Sequence, residues 1–341
     1  MLLQTIGKTR VLFLFGALVV CAMLLTTFAG KPDGLVVYTS VDQRFSEPVF
    51  RAFEAKTGLP ISAVYDVEAV KTTGLTNRLI AEGANPQADV FWSGEVLQMQ
   101  RLRTNSILAP YHPPALPDDM RMGGAGQWIE FGGRARVLIV NTDRLGNRAA
   151  PASILDLGAE VWPGKEVALA YPLFGTTATH VAALDGLWGR TQTLAYFSNL
   201  DQRDARFVAG NSVVRDLVTS GQVIFGLTDT DDACGARARG APVQVILPDQ
   251  DTDGLGTLVI PNSVALIASS RTDRTAIRFV DFLIGDETQT MLARIGWTHI
   301  RGQTVVADPA CGLPATLKTM PLTLSEDPAR LLQALKALIV R

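Results

Sequence analysis

The sequence has few of the residues on which metal cages, disulfide scaffolds and nucleic-acid surfaces depend. Its 341 residues include three histidines and three cysteines, which are too few for a histidine-rich metal site or a disulfide framework. The 31 Lys and Arg residues nearly balance the 33 Asp and Glu residues, so the formal net charge is -2. Without basic runs, the chain offers no dense positive surface to a phosphate backbone, and we expect no nucleic-acid partner.

The sequence is rich in apolar side chains. Hydrophobic residues make up 47% of the chain and charged residues only 19%, and the aromatic residues include 14 Phe and 5 Trp. This composition is enough to bury a large core and excludes a disordered tail. The length predicts one large domain or two domains of ordinary size.

The first thirty residues differ from this average. Lys8 and Arg10 precede the uncharged stretch 11–30, which is the pattern of a secretory signal peptide. Small residues near the end of the stretch predict cleavage after Ala29, so we assign 1–29 to a signal peptide. The alternative is a retained anchor, because about twenty apolar residues can span a bilayer. Either alternative exports the rest of the chain to the periplasm or the extracytoplasmic face of the membrane.

Short β-branched runs alternate with helical patterns in both halves of the exported chain. The predicted strands are 35–40, 60–66, 88–93, 165–172, 221–229 and 241–248, and a long helix is predicted over 177–200. Strand and helix units in alternation predict parallel sheets flanked by helices, an α/β fold. Prolines at 110–117 and five glycines between 123 and 133 indicate a surface connection between two bodies.

Two long apolar strands are placed where the two bodies would meet. If 134–143 and 256–268 each cross from one body to the other, lobe 1 comprises 31–135 and 262–341 and lobe 2 comprises 140–258. Each lobe is then a sheet flanked by helices, and the two crossover strands act as a hinge. This topology leaves a cleft that can close on a ligand.

Six segments carry a resemblance to a known class of proteins: 36–43, 88–95, 137–145, 172–180, 226–233 and 275–293. In these segments the chain resembles the solute-binding proteins of ABC importers, in the bilobal class of ferric-ion and phosphorylated-solute or aminophosphonate receptors. The resemblance implies a two-lobed periplasmic-binding-protein-like fold (type II). It also implies a monomer that delivers a small molecule to an ABC permease and its ATPase, with no cofactor of its own.

Polar residues that directly follow the predicted strands are the candidate ligand-binding residues. They are Ser40, Asp42, Ser93, Glu95, Gly175, Thr176, Thr177, Asn211, Ser212, Thr228 and Asp229. Hydroxyls and amides beside helix N-termini suit an oxyanion such as phosphate, phosphonate or carboxylate. The alternative for each residue alone is helix capping.

The acidic run at Asp229, Asp231 and Asp232 favours a different chemistry. Three carboxylates attract an ammonium group or a hard cation, and the alternative is that they cap the next helix. A zwitterion would satisfy both halves of the site, with its oxyanion at 175–177 and its amine at Asp229. We therefore predict a small polar solute that is oxyanion-bearing or zwitterionic.

Ferric ion is the second candidate ligand, and it comes from the resemblance. Receptors of that subfamily hold the ion through adjacent tyrosines at the place where this chain has 228–230, and no two of its five tyrosines are adjacent. Iron would instead need Asp229, Asp231 and Glu95 with a bound anion. Ferric ion would then be the transported ligand.

Catalytic patterns are weak, so we predict a receptor and not an enzyme. No G-x-S-x-G occurs, and His180 falls on a predicted helix where packing explains it. A membrane-tethered sensor or an exported enzyme on the same fold is the alternative of another class. The D-x-D-x-D-G pattern at 249–254 has Ile260 where an EF-hand loop needs Glu, so we predict a turn. Cys234 and Cys311 form either one disulfide or two buried thiols.

Overall fold

The computed structural model describes residues 34–66, 73–306, 311–324 and 327–339. The predicted signal peptide or anchor at 1–29 lies outside these residues. In the described part of the chain, no helix has both the length and the apolar character needed to span a bilayer.

Thirteen strands and eleven α-helices are described, and most follow the predicted alternation. The strands are β1 Leu35–Thr39, β2 Ile61–Tyr65, β3 Val90–Ser93, β4 Leu108–Ala109, β5 Arg121–Gly123, β6 Trp128–Asn141, β7 Val167–Ala170, β8 Arg206–Val208, β9 Phe225–Asp229, β10 Val243–Ile246, β11 Val259–Ile267, β12 Ile300–Arg301 and β13 Thr304–Val305. The helices are α1 Gln43–Thr57, α2 Thr73–Glu82, α3 Leu97–Thr104, α4 Thr142–Leu145, α5 Gly175–Trp188, α6 Arg190–Gln202, α7 Asn211–Thr219, α8 Thr230–Ala238, α9 Arg274–Ile284, α10 Asp286–Arg294 and α11 Pro328–Ile339.

The strands pair in the order β2-β1-β3-β11-β6-β9-β7-β8. β1 is parallel to β2 and β3, and β7 is parallel to β8 and β9. These are the two groups of strand and helix units predicted from the sequence. Each group has its own apolar core, which forms where the apolar faces of its helices pack against its strands.

Strand β6 joins the two groups. Residues 129–135 pair with β11 in the first group, and 136–140 pair with β9 in the second. The backbone N–H of Arg136 donates to the carbonyl of Leu258, 2.8 Å away, just before the chain enters β11. The chain therefore passes between the groups in β6 and returns beside it, close to the predicted hinge.

The C-terminal segments pack on the second group. Leu331 and Leu335 of α11 are buried in the same core as Leu184 and Leu200 of helices α5 and α6. A disulfide joins Cys311 to Cys234 of α8, which decides between the two alternatives for these cysteines. The sequence pattern of α11 defines its apolar face but not the surface that receives it. We propose that lobe 1 ends near residue 306, whereas the sequence suggested that it continues to 341.

Two local predictions differ from the structure. The helix predicted over 177–200 is two helices, because Gly189 adopts a positive φ of 78° between them. The glycine-rich stretch 123–133 is mostly strand and not surface connection. Gly133 is buried in β6, where a Cβ would lie 2.4 Å from the carbonyl oxygen of Ile260, so glycine here permits close strand approach and does not mark a loop.

The acidic turn at 249–254 closes around a lysine. The ammonium of Lys318 donates to the carbonyl oxygens of Asp251, Thr252 and Gly254 at 3.1, 2.8 and 2.6 Å. Residues 249–254 therefore form a turn, as predicted from the sequence, and not an EF-hand loop.

Candidate functional site

A cavity of about 280 Å³ opens where the carboxyl ends of β1, β3, β7 and β9 meet. We call it the first cavity. Nine of the eleven candidate residues line it: Ser40, Asp42, Glu95, Gly175, Thr176, Thr177, Asn211, Ser212 and Asp229. Ser93 and Thr228 do not line the first cavity but contact residues that do. The Ser93 hydroxyl is 3.2 Å from that of Ser40, and Thr228 donates to the carbonyl of Asn211 at 3.2 Å.

Two helices begin at the wall of the first cavity. Helix α5 begins at Gly175, whose φ is +60° and whose position has nothing within 4 Å of a Cβ. Helix α7 begins at Asn211. The residues that precede them, Phe174 and Gly210, make no side-chain capping hydrogen bond. Both helices therefore bring first-turn N–H groups and the positive end of their dipole to the cavity.

The side chains beneath these helix ends satisfy one another. Arg136 is fully buried and donates to Asp229, Asn211 and Thr176 at 2.6, 3.0 and 3.1 Å. It also donates to Thr177 at 3.2 Å. Thr176 in turn donates to Asp229 at 2.8 Å. The sequence suggested that the two threonine hydroxyls face a ligand, but in the structure they hold the Arg136 guanidinium.

Asp229 forms a buried ion pair at the wall of the first cavity. Its side chain makes no capping hydrogen bond to α8, and its carboxylate pairs with Arg136. Burial would raise the pKa of Asp229, but Arg136 and Arg134 together hold that pKa below its usual value. Its partner is 93 residues away in the sequence, so local pattern could not reveal the pair.

The other two aspartates of the run differ from each other. Asp232 pairs with Arg215 at 2.7 Å. The Oδ1 atom of Asp231 is buried without a hydrogen-bond partner among the described residues, and it lies 3.9 Å from the guanidinium of Arg134. Burial raises the pKa of Asp231 to about 7 and that of Asp232 to about 6. Asp231 is thus the carboxylate of the cavity that has an unused acceptor.

Glu95 connects the two lobes at one end of the cavity. It accepts hydrogen bonds from the N–H groups of Leu97 and Gln98, at the start of α3, at 2.5 and 3.3 Å. It also accepts one from the hydroxyl of Thr179, on α5 in the other lobe, at 2.7 Å. Burial raises the pKa of Glu95, and these three donors oppose the shift.

Arginines are the functional candidates that sequence reasoning missed. Arg44, Arg134 and Arg215 line the first cavity together with Trp297. The guanidinium of Arg134 lies 4.0 Å from the centre of the Trp297 ring, a cation–π contact. It also donates to the carbonyl of Gly94 at 2.5 Å. This places a positive charge in the hinge strand β6, at the wall of the cavity.

A signal for these arginines exists in the sequence. Arg134 and Arg136 stand at a spacing of two directly before the apolar run 137–140 of β6, so both side chains point to one face of the strand. A buried charge in such a strand needs a partner. The pattern therefore indicates a polar site, although it does not identify the partners.

Two of the three residues proposed as an alternative iron site are engaged in other contacts. Asp229 is bound to Arg136, and Glu95 is bound to Thr179 and to the start of α3. Across the described ranges, no group of three or more His, Cys, Asp or Glu side chains is arranged to hold a metal ion. No tyrosine is found among the described residues that line the first cavity.

Comparison with known proteins gives a family match. The model of the family of bacterial extracellular solute-binding proteins matches residues 49–310. The major ferric iron-binding protein of Neisseria meningitidis serogroup B is 25% identical over 282 residues, covering 80% of this chain and 82% of that protein. A probable ABC transporter periplasmic-binding protein of Sinorhizobium fredii is 28% identical over 329 residues, covering 90% and 84%.

Solved structures confirm the fold. Iron-bound HitA from Pseudomonas aeruginosa superposes with a TM-score of 0.74 at 23% identity, covering 90% of this chain and 99% of HitA. AfuA from Actinobacillus pleuropneumoniae, with fructose 6-phosphate bound, gives 0.76 at 22% identity, covering 90% and 98%. The two-lobed periplasmic-binding-protein-like fold (type II) predicted from the sequence is therefore confirmed.

Proposed function

Because the chain belongs to the family of bacterial extracellular solute-binding proteins, we propose that its first cavity captures a small solute that carries an oxyanion. The chain is a solute-binding component of ABC import and not an enzyme. Delivery would be to a membrane permease with its ATPase. Its relatives include periplasmic receptors, and we place this chain in the same compartment.

One observation carries the proposal. The uncapped N-termini of α5 and α7 meet at the first cavity, so unpaired N–H groups from two helices point to one place. A helix N-terminus is an intrinsic anion site, because its N–H groups and its dipole both favour negative charge. Arg134 and Arg215 lie in the same wall, where they offset the negative charges of Asp229, Asp231 and Asp232. Phosphate, phosphonate and carboxylate groups have the size and charge for this place.

We further propose that the solute carries a hydrogen-bond donor, either an ammonium group or a hydroxyl. Asp231 supports this proposal, because the residue lines the first cavity and its buried Oδ1 has no hydrogen-bond partner among the described residues. A buried acceptor left without a donor is costly, and a ligand donor would remove that cost. Asp231 thus replaces Asp229 as the partner for the cationic half of a zwitterion.

A thermal-shift screen tests the oxyanion proposal. The probes are inorganic phosphate, 2-aminoethylphosphonate, fructose 6-phosphate and ferric nitrilotriacetate. A probe at 100 times its dissociation constant adds about 2.7 kcal/mol to the free energy of unfolding. We expect stabilisation by at least one of the phosphorus oxyanions. Stabilisation by ferric ion alone would reject the proposal.

Ferric ion is the second candidate, favoured by the names of the relatives. Several of them are ferric iron-binding or iron-uptake proteins, and HitA has iron bound. Asp231 would be the available carboxylate, and the helix ends would hold a co-bound anion. Titration with ferric ion in the presence and absence of phosphate tests this candidate, which requires that phosphate strengthen iron binding.

A further inference from the structure

A second cavity of about 650 Å³ adjoins the first. It lies between α8 in lobe 2 and α10 in lobe 1, and its wall includes Arg239 and Arg294. Arg44 and Asp231 line both cavities. These two residues therefore lie at the boundary between the two cavities, which we call the neck.

The second cavity has an excess of positive charge. Arg44, Arg239 and Arg294 line it, whereas Asp231 is its one acidic residue in the described part of the chain. Within the described ranges, the guanidinium groups of Arg239 and Arg294 have no hydrogen bond or ion pair with another residue. Their guanidinium groups are therefore available to an anion.

Helix geometry explains part of this arrangement. Arg294 lies in the last turn of α10, and Arg239 directly follows the last turn of α8. Basic side chains at helix C-termini are favourable, because they offset the negative end of the dipole. This accounts for each arginine alone. It does not account for two arginines from opposite lobes that line the same cavity.

The positions of the two arginines affect closure of the cleft. Arg294 belongs to lobe 1 and Arg239 to lobe 2, so closing the cleft brings like charges toward each other. An anion between them would turn this repulsion into two attractions, and a charge-assisted hydrogen bond is stronger than a neutral one. Such an anion would bind the closed form better than the open form, which is the requirement for ligand-driven closure.

We infer that the solute is elongated and carries a second anionic group, which passes the neck and is held between Arg239 and Arg294. This inference rests on the proposed function, because the first anionic group occupies the first cavity. The solute class is that of small molecules with two anionic groups several bonds apart, of which a sugar bisphosphate is an example. The neck suits the uncharged, hydroxyl-bearing middle of such a molecule, because Asp231 can accept its hydrogen bonds.

Isothermal titration with a matched pair of probes tests the inference. Fructose 1,6-bisphosphate and fructose 6-phosphate differ only in the second phosphoryl group. We expect the wild-type protein to bind the bisphosphate about tenfold more tightly, as expected for one additional charge-assisted contact. The double variant Arg239→Gln/Arg294→Gln should lose this preference and keep its affinity for fructose 6-phosphate.

The control is Arg271→Gln/Arg278→Gln, which removes the same charge from exposed positions that line neither cavity. It should keep the full preference. Equal affinity of the wild-type protein for both sugars, or equal loss of preference in the control, would overturn the inference while leaving the oxyanion proposal intact. If inorganic phosphate, 2-aminoethylphosphonate and both sugars all fail to bind, the proposed function fails and the inference with it.

Discussion

At the scale of single residues, Arg136 organises the floor of the first cavity. Its guanidinium is fully buried and donates to four side chains that come from β9, α5 and α7. The network explains why the candidate residues gather in one place although most of their side chains are already hydrogen-bonded. The sequence locates most of these residues because they lie at or just after the end of a predicted strand. It does not assign their roles, because those depend on long-range partners.

Replacing Arg136 with Met should destabilise the protein by about 3 to 5 kcal/mol, because Asp229 is left as an uncompensated buried charge. The measurement is urea unfolding at pH 7. The double variant Arg136→Met/Asp229→Leu should recover much of the loss, since it removes both charges. A double variant whose loss equals the sum of the single losses would contradict the pairing.

Asp231 should make the stability depend on pH in an unusual direction. Its pKa rises from 3.8 to about 7 in the folded protein, mainly through burial. The folded state then holds the proton more tightly than the unfolded state, so ionisation lowers stability as the pH rises from about 4 to about 7.

Asp231→Asn should therefore increase the free energy of unfolding at pH 8 by about 1 to 3 kcal/mol, and the gain should shrink toward pH 4. Urea unfolding across that range measures it. Asp253→Asn, at an exposed position, is the matched control for the loss of one carboxylate. A gain in Asp231→Asn that is independent of pH would refute the proposed titration.

Among helices and strands, local periodicity predicts whether a segment is a helix or a strand, but it does not predict which other elements the segment packs against. Strands β1, β2, β3, β7, β9 and β10 lie within the predicted segments, because alternation of apolar runs and helical patterns is a local property. The break at Gly189 was missed because both flanking segments are helical. The sequence did not predict that Gly133 is buried in a strand. In the sequence alone, a glycine that permits close strand approach cannot be distinguished from a glycine in a loop.

Helix α11 gives a test of element packing. Leu335 is fully buried against α5 and α6, whereas Leu338, one turn further, is 38% exposed. Leu335→Ala should cost about 2 to 5 kcal/mol, as for other buried leucines, and Leu338→Ala should stay within about 0.5 kcal/mol of wild type. Thermal or urea unfolding compares the two. Equal effects would contradict the packing of α11 on lobe 2.

At the scale of the whole molecule, two lobes are joined by β6 and by the return of the chain into β11. Receptors with this topology work by hinge closure, and a ligand drives closure only as far as it prefers the closed form. One hydrogen bond already joins the lobes beside the first cavity, from Thr179 to Glu95 at 2.7 Å. This contact should contribute to the stability of the closed form.

Thr179→Val should weaken solute binding by about fivefold, because it removes roughly 1 kcal/mol from the closed form at nearly constant volume. Small-angle scattering of the unliganded variant should show a larger radius of gyration. Thr179→Ser keeps the hydroxyl and should behave like the wild type. Identical behaviour of the Val and Ser variants would show that the contact does not favour closure.

We propose that the first cavity binds an oxyanion at the N-termini of α5 and α7. Ser212, half-buried in the first turn of α7, lines that cavity. A carboxylate at this position interacts favourably with the positive end of the helix dipole, but it repels an anionic ligand. Ser212→Asn has nearly the same size as Ser212→Asp and is neutral, so it is the matched control.

The decisive measurement is isothermal titration of wild type, Ser212→Asn and Ser212→Asp with the tightest-binding phosphorus oxyanion. We expect affinities within about threefold for wild type and Ser212→Asn. We expect a loss of about tenfold or more for Ser212→Asp, since about 1.4 kcal/mol of charge repulsion is sufficient, with no fall in Tm. Undiminished binding by Ser212→Asp would contradict the claim.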